Sequence, residues 1–363
     1  MTTNNTRLYY PALRARGSEL NGYKQLSDSV KDELTPLITL GSWRKMDDPV
    51  RGLLKTTEAI GEGRPFYLDL TNDRSHHSAG TLELTDKRNY FENWRNFLTA
   101  AKSDHKIIPV AQLSGNSRDA VRQSIKFESE FGGLGVRIDA FDQNQVTAAK
   151  AILSAIDDPQ NCMFFVDVAQ IEARTTTAMS QIAIQVINQL RELHDGCSIT
   201  TLSSSFPRSV ATFGDKRGEI DNEDRRLNII IGGQDVAIYG DYGAIHATVY
   251  DDQPMARAAP RIDYPSYHQW IFERRPKEDK EAFQEIAQSI IELPDWDDSL
   301  DTWGHRIIKE VAKGNTEGWG SAQKWISVRV NIHIATQLAY SKLIIDSGLE
   351  GDTESEDDEW DWD

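Results

Sequence analysis

Eight short apolar runs, at residues 8–13, 36–40, 65–70, 107–113, 134–139, 163–168, 198–204 and 235–241, recur along the first 245 residues. Helix-length segments separate nearly all of them. Strands that alternate with helices imply a parallel sheet, because parallel neighbours need a crossover between them. Eight such units in about 250 residues fit an α/β fold closed as a (β/α)8, TIM-like barrel. In that fold chemistry gathers at the C-terminal strand ends. Here those ends carry Arg14, Asp69, Gln112, Asp139, Asp167, Ser203 and Asp241.

The spacing predicts helices over 18–34, 49–60, 90–102, 117–131, 144–156 and 176–194. Pro49 suits the first turn of the second, and Gly132-Gly133 ends the fourth. Residues 71–85 are polar and read as a long loop on the active face, with His76-His77 solvated. The run 163–168 is apolar on both faces, as a central parallel strand must be. Residues 227–231 fit either a short helix or a strand, and the eighth strand is assigned to 236–241. After residue 259 the character changes. Residues 261–274 are aromatic and extended, and 277–293, 299–312 and 324–343 read as amphipathic helices. The expected organisation is a barrel over 1–258, a helical extension packed on it over 259–346, and a disordered acidic tail over 347–363.

The formal net charge of −17 argues against sequence-independent binding of nucleic acid, which needs clustered Lys and Arg. There is no signal-peptide pattern and no apolar run of membrane-spanning length, so no membrane insertion is expected. Two cysteines, Cys162 and Cys197, cannot build a disulfide framework. The expected location is the cytoplasm.

Side chains two apart on a strand share a face. This couples Tyr67 with Asp69, Arg137 with Asp139, Phe165 with Asp167, and Tyr239 with Asp241. If those faces turn inward, four aspartates meet at one mouth, and they are the catalytic candidates. Unpaired carboxylates in a poorly solvated mouth must be offset by Arg, by a divalent metal or by shared protons. Asp69, Asp167 and Asp241 are the candidate ligands for a hard, Mg2+-like ion. Arg14 and Arg137, with Gln112, Ser203, Ser204 and Tyr242, are candidate ligand-binding residues suited to a phosphate or carboxylate. Plain Asp–Arg pairing or helix capping is the structural alternative. No GxSxG turn surrounds the serine run after strand seven, and the strand-four end carries Gln112 where a glycosidase places an acid.

The last 13 residues, GDTESEDDEWDWD, hold eight carboxylates and no base. Such a segment cannot pack alone. Trp360 and Trp362 alternate with Asp361 and Asp363, a pattern suited to docking on a basic, partly apolar groove of another protein. A solubilising tail is the simpler alternative.

Four ordered motifs carry a resemblance. They are Tyr10-Pro11 followed by Arg14 or Arg16, then Thr35-Pro36-Leu37-Ile38; Ser204-Ser205-Phe206-Pro207; Gly240-Asp241-Tyr242-Gly243; and Gly320-x-Ala322-Gln323-x-Trp325 with Asn331-x-His333. Over roughly residues 8–340 the chain resembles the Beta protein family of phages and bacterial mobile elements. It departs from the pattern where Ile326 follows Trp325 in place of Arg, and where Ile332 replaces one of a pair of His. The resemblance implies a phage-derived accessory protein of an exclusion, anti-phage defence or toxin-type module. It would act through a protein partner encoded nearby, a toxin-like or defence component. The rival is a metal-dependent hydrolase, or a binder, of a phosphorylated small molecule or nucleotide at the Asp-lined mouth. Short contacts between carboxylates without Arg partners would favour the metal site, and Asp–Arg pairing the other readings.

Overall fold

Eight strands run parallel: β1 (Tyr9–Arg14), β2 (Leu37–Leu40), β3 (Phe66–Leu70), β4 (Ile107–Pro109), β5 (Leu134–Asp139), β6 (Cys162–Gln170), β7 (Ser198–Ser204) and, after β8 (Gly218–Asp221), β9 (Tyr239–Asp241). They form one sheet in the order β4-β3-β2-β1-β9-β7-β6-β5. The computed structural model describes residues 7–43, 46–102, 105–113, 115–214, 217–249, 259–276 and 281–347. The sheet curls until its edges meet at a single bridge between Val110 and Gly135, and Ala111 N–H donates to the Gly135 carbonyl at 2.9 Å. It is thus nearly closed into a barrel. β4 stops short of the expected 107–113 at Pro109, which has no N–H for the ladder. A Cβ on Gly135 would lie 2.8 Å from the Tyr67 ring, so only glycine lets the seam close here.

The crossover helices are α1 (Gly17–Lys24), α2 (Asp28–Asp32), α3 (Pro49–Ile60), α4 (Ala79–Leu84), α5 (Glu92–Lys102), α6 (Ser117–Phe131), α7 (Gln143–Leu153), α8 (Thr176–Arg191) and α9 (Glu223–Ile231). Local chemistry sets their ends. Asp48 caps α3 by accepting from Val50 N–H at 2.9 Å, and Pro49 opens it. Asn116 caps α6, and Gly132 at φ 70° ends it. The single helix expected over 18–34 is split, because Ser27 starts a new one by accepting from Val30 N–H. The loop expected over 71–85 contains a 3-10 turn at Arg74–His76 and then α4, which is started by a reciprocal Ser78–Thr81 capping box. Residues 227–231 are the end of α9.

The C-terminal part is more than helices. β10 (Arg261–Pro265) and β11 (Gln269–Arg274) form an antiparallel hairpin, and β11 also pairs with β8. α10 (Ala282–Ile291), α11 (Trp303–Ala312) and α12 (Ala322–Ser347) follow. Ile262, Tyr264 and Ile271 of the hairpin pack with Ile286, Ile308, Trp325 and Ile332 in a second core. α12 is buried almost all round. Val330, Ile334 and Leu338 face the barrel core, while Trp325, Val328 and Ile332 face the second one. The helix expected over 324–343 is therefore not amphipathic with one buried stripe, because its wedge position buries both of its faces. Residues 348–363, with Trp360 and Trp362, lie outside the described residues. Among the described residues no helix is long and apolar enough to cross a membrane.

Candidate active-face cleft

Inside the sheet, Tyr10, Ala12, Leu37, Tyr67, Val110, Met163, Phe165, Leu202 and Ile238 form an apolar floor. The Tyr67 and Phe165 rings meet edge to face at 5.0 Å. Two residues further along the same faces come Arg14, Thr39, Asp69 and Asp167. With Arg137 and Asp139 of β5, they line a cleft of about 380 Å³ at the C-terminal strand ends. Neighbouring strands set the spacing, since Thr39 pairs with Asp69 and Asp139 with Asp167 in register.

Arg137 organises this layer. Its Nε and Nη2 lie 2.9 and 2.8 Å from Asp167 Oδ2, and its Nη1 lies 3.2 Å from Asp69 Oδ2. Nη1 also donates to Thr39 Oγ1 at 3.1 Å, and Nη2 to Tyr242 Oη at 2.8 Å. Tyr242 in turn donates to Asp167 at 2.7 Å. Burial pushes the Asp69 carboxyl above its ordinary pKa, against the opposing pull of Arg137. Burial raises the Tyr242 phenol, and Asp167 adds to the shift, so Tyr242 stays a neutral donor. β6 bulges after Asp167, and Ala169 sits at φ 55° with its N–H on Asp167 Oδ1 at 2.9 Å. A non-glycine residue in that region is strained, and here it sits at the bulge on the cleft wall.

Arg14 lines the cleft but its guanidinium is engaged. Nη2 donates to the carbonyls of His246 and Ala247 at 2.8 and 2.6 Å, and Nη1 lies 3.7 Å from Glu19. Arg14 therefore pins the loop after β9 beside the mouth. Gln170 helps by accepting from Ala247 N–H at 3.0 Å.

Three of the four expected aspartates, Asp69, Asp139 and Asp167, line the cleft, and Asp241 does not. On either side of β9, Ile238 and Tyr242 face inward, while Tyr239 belongs to the outer core. The inward position between them is Gly240, where a Cβ would lie 2.7 Å from Thr200 Cγ2. Asp241 therefore points outward and is fully engaged. It accepts from Tyr9, Tyr239 and Gly243 N–H, each at 2.7 Å, and lies 2.7 Å from His333 Nε2 of α12. Three expected binding residues also lie elsewhere. Gln112 donates to Asp69 Oδ1 at 3.3 Å from behind, Ser203 donates to Asp224 at 2.7 Å, and Ser204 donates to the Ile245 carbonyl at 2.7 Å.

The metal expectation also needs correction. Among the described residues no three His, Cys, Asp or Glu side chains converge to hold an ion. Arg137 stands between Asp69 and Asp167, and Asp241 faces the other way. The sequence reading missed Trp43, His76 and Phe141 on the cleft wall. His76 is not solvated. It is 5% exposed, and its ring lies 4.9 Å from that of Trp43. The available signal was position: Trp43 follows β2 by three residues, where a βα loop begins.

Two comparisons bear on what kind of protein this is. The family model described as Beta protein matches residues 9–339. The chain is 39% identical over 342 residues to Protein beta of Enterobacteria phage P4, covering 93% of this chain and 94% of that protein. The motifs behind the resemblance also meet in space: Tyr9 beside Tyr10-Pro11, Asp241 and His333 form one hydrogen-bonded cluster. This chain belongs to the Beta protein family.

Proposed function

We propose that the chain is a phage accessory protein of an exclusion, anti-phage defence or toxin-type module. It acts in the host cytoplasm by binding a protein partner encoded nearby. Residues 1–258 serve as a TIM-like barrel presenting the cleft, 259–346 as its extension, and the tail with Trp360 and Trp362 as a docking arm. The observation that carries it is the way Arg137 spends its donors on Asp69, Asp167, Thr39 and Tyr242. An array in which one guanidinium bridges both carboxylates and every donor is used supports recognition over catalysis by the carboxylates. The rival phosphate hydrolase needs a metal set or a free guanidinium, and both Arg14 and Arg137 are already committed within the protein.

The test co-expresses the chain with the product of the adjacent gene and follows complex formation by gel filtration with light scattering. Wild type, Trp360→Ala with Trp362→Ala, and a truncation lacking 351–363 are compared. A stable complex with wild type, weakened in both tail variants, is expected. Each desolvated Trp contributes on the order of 2 kcal/mol as a binding anchor. No complex with wild type, together with Mg2+-dependent phosphate release from nucleotides that Asp167→Asn abolishes, would establish the hydrolase instead.

A further inference from the structure

We propose that the cleft receives a positively charged side chain, a guanidinium or ammonium carried on a polypeptide. This rests on the partner-binding reading above and names the chemistry of the contact.

The charge balance of the wall comes first. Asp69, Asp73, Asp139 and Asp167 line the cleft against Arg14 and Arg137. The Arg137 guanidinium is saturated by internal acceptors, and Arg14 holds two carbonyls through Nη2 and lies 3.7 Å from Glu19, so neither offers an anion a full set of donors. Asp139 is exposed, and its Oδ1 accepts from Phe141 N–H at 3.0 Å. Asp73 is about half exposed and lies 3.8 Å from His76 Nε2. These two carboxylates stand outside the Arg137 array and give the rim its negative charge. A phosphate would meet that rim with repulsion.

The second observation is independent of charge. Trp43 Nε1 and His76 Nε2 are buried on the cleft wall and have no hydrogen-bond partner among the described residues. Trp43 and His76 are 4% and 5% exposed. Buried polar atoms are normally satisfied, so the Trp43 indole N–H in a cleft wall calls for a ligand that supplies an acceptor, while His76 Nε2 has only the Asp73 carboxylate 3.8 Å away. A basic residue in a peptide has what is missing: a backbone carbonyl for the indole N–H and a cation for the rim. The Phe141 ring, 52% exposed at the rim, and the Trp43 ring suit the aliphatic stem and the face of a cation. The cleft volume of about 380 Å³ falls within the ordinary range for ligand sites.

The test is calorimetric titration of the full chain with the N-acetyl methylamides of arginine, lysine and norleucine, and with inorganic phosphate. Wild type is compared with Asp73→Asn/Asp139→Asn, with thermal melts verifying the fold. The expected result is millimolar binding of the arginine and lysine derivatives, lost in high salt. The double variant should weaken it about three- to tenfold, as two partly exposed ion pairs would. The proposal is overturned by equal affinity for the norleucine derivative, by unchanged affinity in the double variant, by phosphate binding alone, or by no binding of any probe. The adjacent gene product is titrated in parallel. If its complex survives while the arginine derivative fails to bind, this inference falls and the partner reading stands. If the arginine derivative binds and no complex forms, the partner reading falls instead.

Discussion

His333 Nε2 lies 2.7 Å from Asp241 Oδ2, and both side chains are almost completely buried. The contact ties the last barrel strand to the long C-terminal helix. The His333 ring stacks on Trp270 at 4.8 Å, and Trp270 Nε1 donates to Ser205 Oγ at 3.1 Å. Next to it, Arg329 pairs with Asp263 and lies 3.9 Å over the Phe206 ring. A polar clamp built from the resemblance motifs thus joins the two halves of the molecule.

The clamp predicts a large stability effect for His333→Ala. Burial raises the Asp241 carboxyl, but His333 and the Tyr9 and Tyr239 hydroxyls outweigh it and hold the pKa below the usual value. A depressed carboxylate stabilises the fold above its unfolded pKa, and that contribution is lost as pH falls through the folded value. Removing His333 strands a buried charge, which costs about 3–5 kcal/mol near neutrality. The deficit should shrink in acid, where Asp241 takes up a proton. Urea unfolding at several pH values reads this. A deficit below about 1 kcal/mol at neutral pH would mean the pair is not a clamp.

Asp224 predicts the opposite pH dependence. Burial and repulsion from Asp241 push its carboxyl up to about 6, against the opposing pull of Ser203 and Ser205. A raised folded pKa favours the protonated form, so the contribution is present in acid and is lost as pH rises through about 6. Asp224→Asn keeps the group neutral at every pH. Relative to wild type, the variant should gain on the order of 2–3 kcal/mol between about pH 4 and 7. A stability difference that stays constant across that range would show that Asp224 does not titrate in the folded protein.

Arg137→Met tests the charge array in the cleft. Without the guanidinium, Asp69 and Asp167 face each other unpaired, and the already raised Asp69 carboxyl climbs further. The variant should lose about 3–5 kcal/mol at neutral pH and recover part of it in acid, where one carboxylate protonates. Arg137→Lys should fall between the two, since a point charge cannot bridge two carboxylates and Tyr242 as a fork does. Melting temperature against pH separates these cases. Parallel curves for wild type and Arg137→Met would remove the array from the account.

Much of the barrel was legible because each strand is short, apolar and followed by a cap or glycine. Pro49–Ile60 and Ser117–Phe131 match their expected bounds because Asp48-Pro49 and Asn116 open them and Gly61 and Gly132 close them. The inward face of β3 and β6 was legible too, since Tyr67 with Asp69 and Phe165 with Asp167 alternate cleanly. β9 was not. Ile238 and Tyr239 are both buried, so hydrophobicity gave no phase, and only the steric demand at Gly240 shows which face is inward. The β8–β11 pairing joins residues on opposite sides of the last barrel strand, a long-range contact that no local pattern announces. The Trp43–His76 wall depends on a loop fold that composition alone could not distinguish from solvated coil.

Ala169 offers a test of the bulge that aims Asp167. Its φ of 55° is strained for a residue with a Cβ, and its N–H holds Asp167 Oδ1 at 2.9 Å. The side chain is exposed, so substitution there reports on backbone strain more than on packing. Glycine removes the strain but loosens the unfolded chain. Ala169→Gly should therefore be neutral or stabilising by up to about 1 kcal/mol. A β-branched residue fits that region worst, so Ala169→Val should destabilise by roughly 2 kcal/mol and weaken binding of the arginine derivative. The bulge would relax, and Asp167 would lose the N–H that orients it. Chemical denaturation and titration of the same two variants decide the matter. Equal stability and equal affinity for both would show that the left-handed conformation of Ala169 does not aim Asp167.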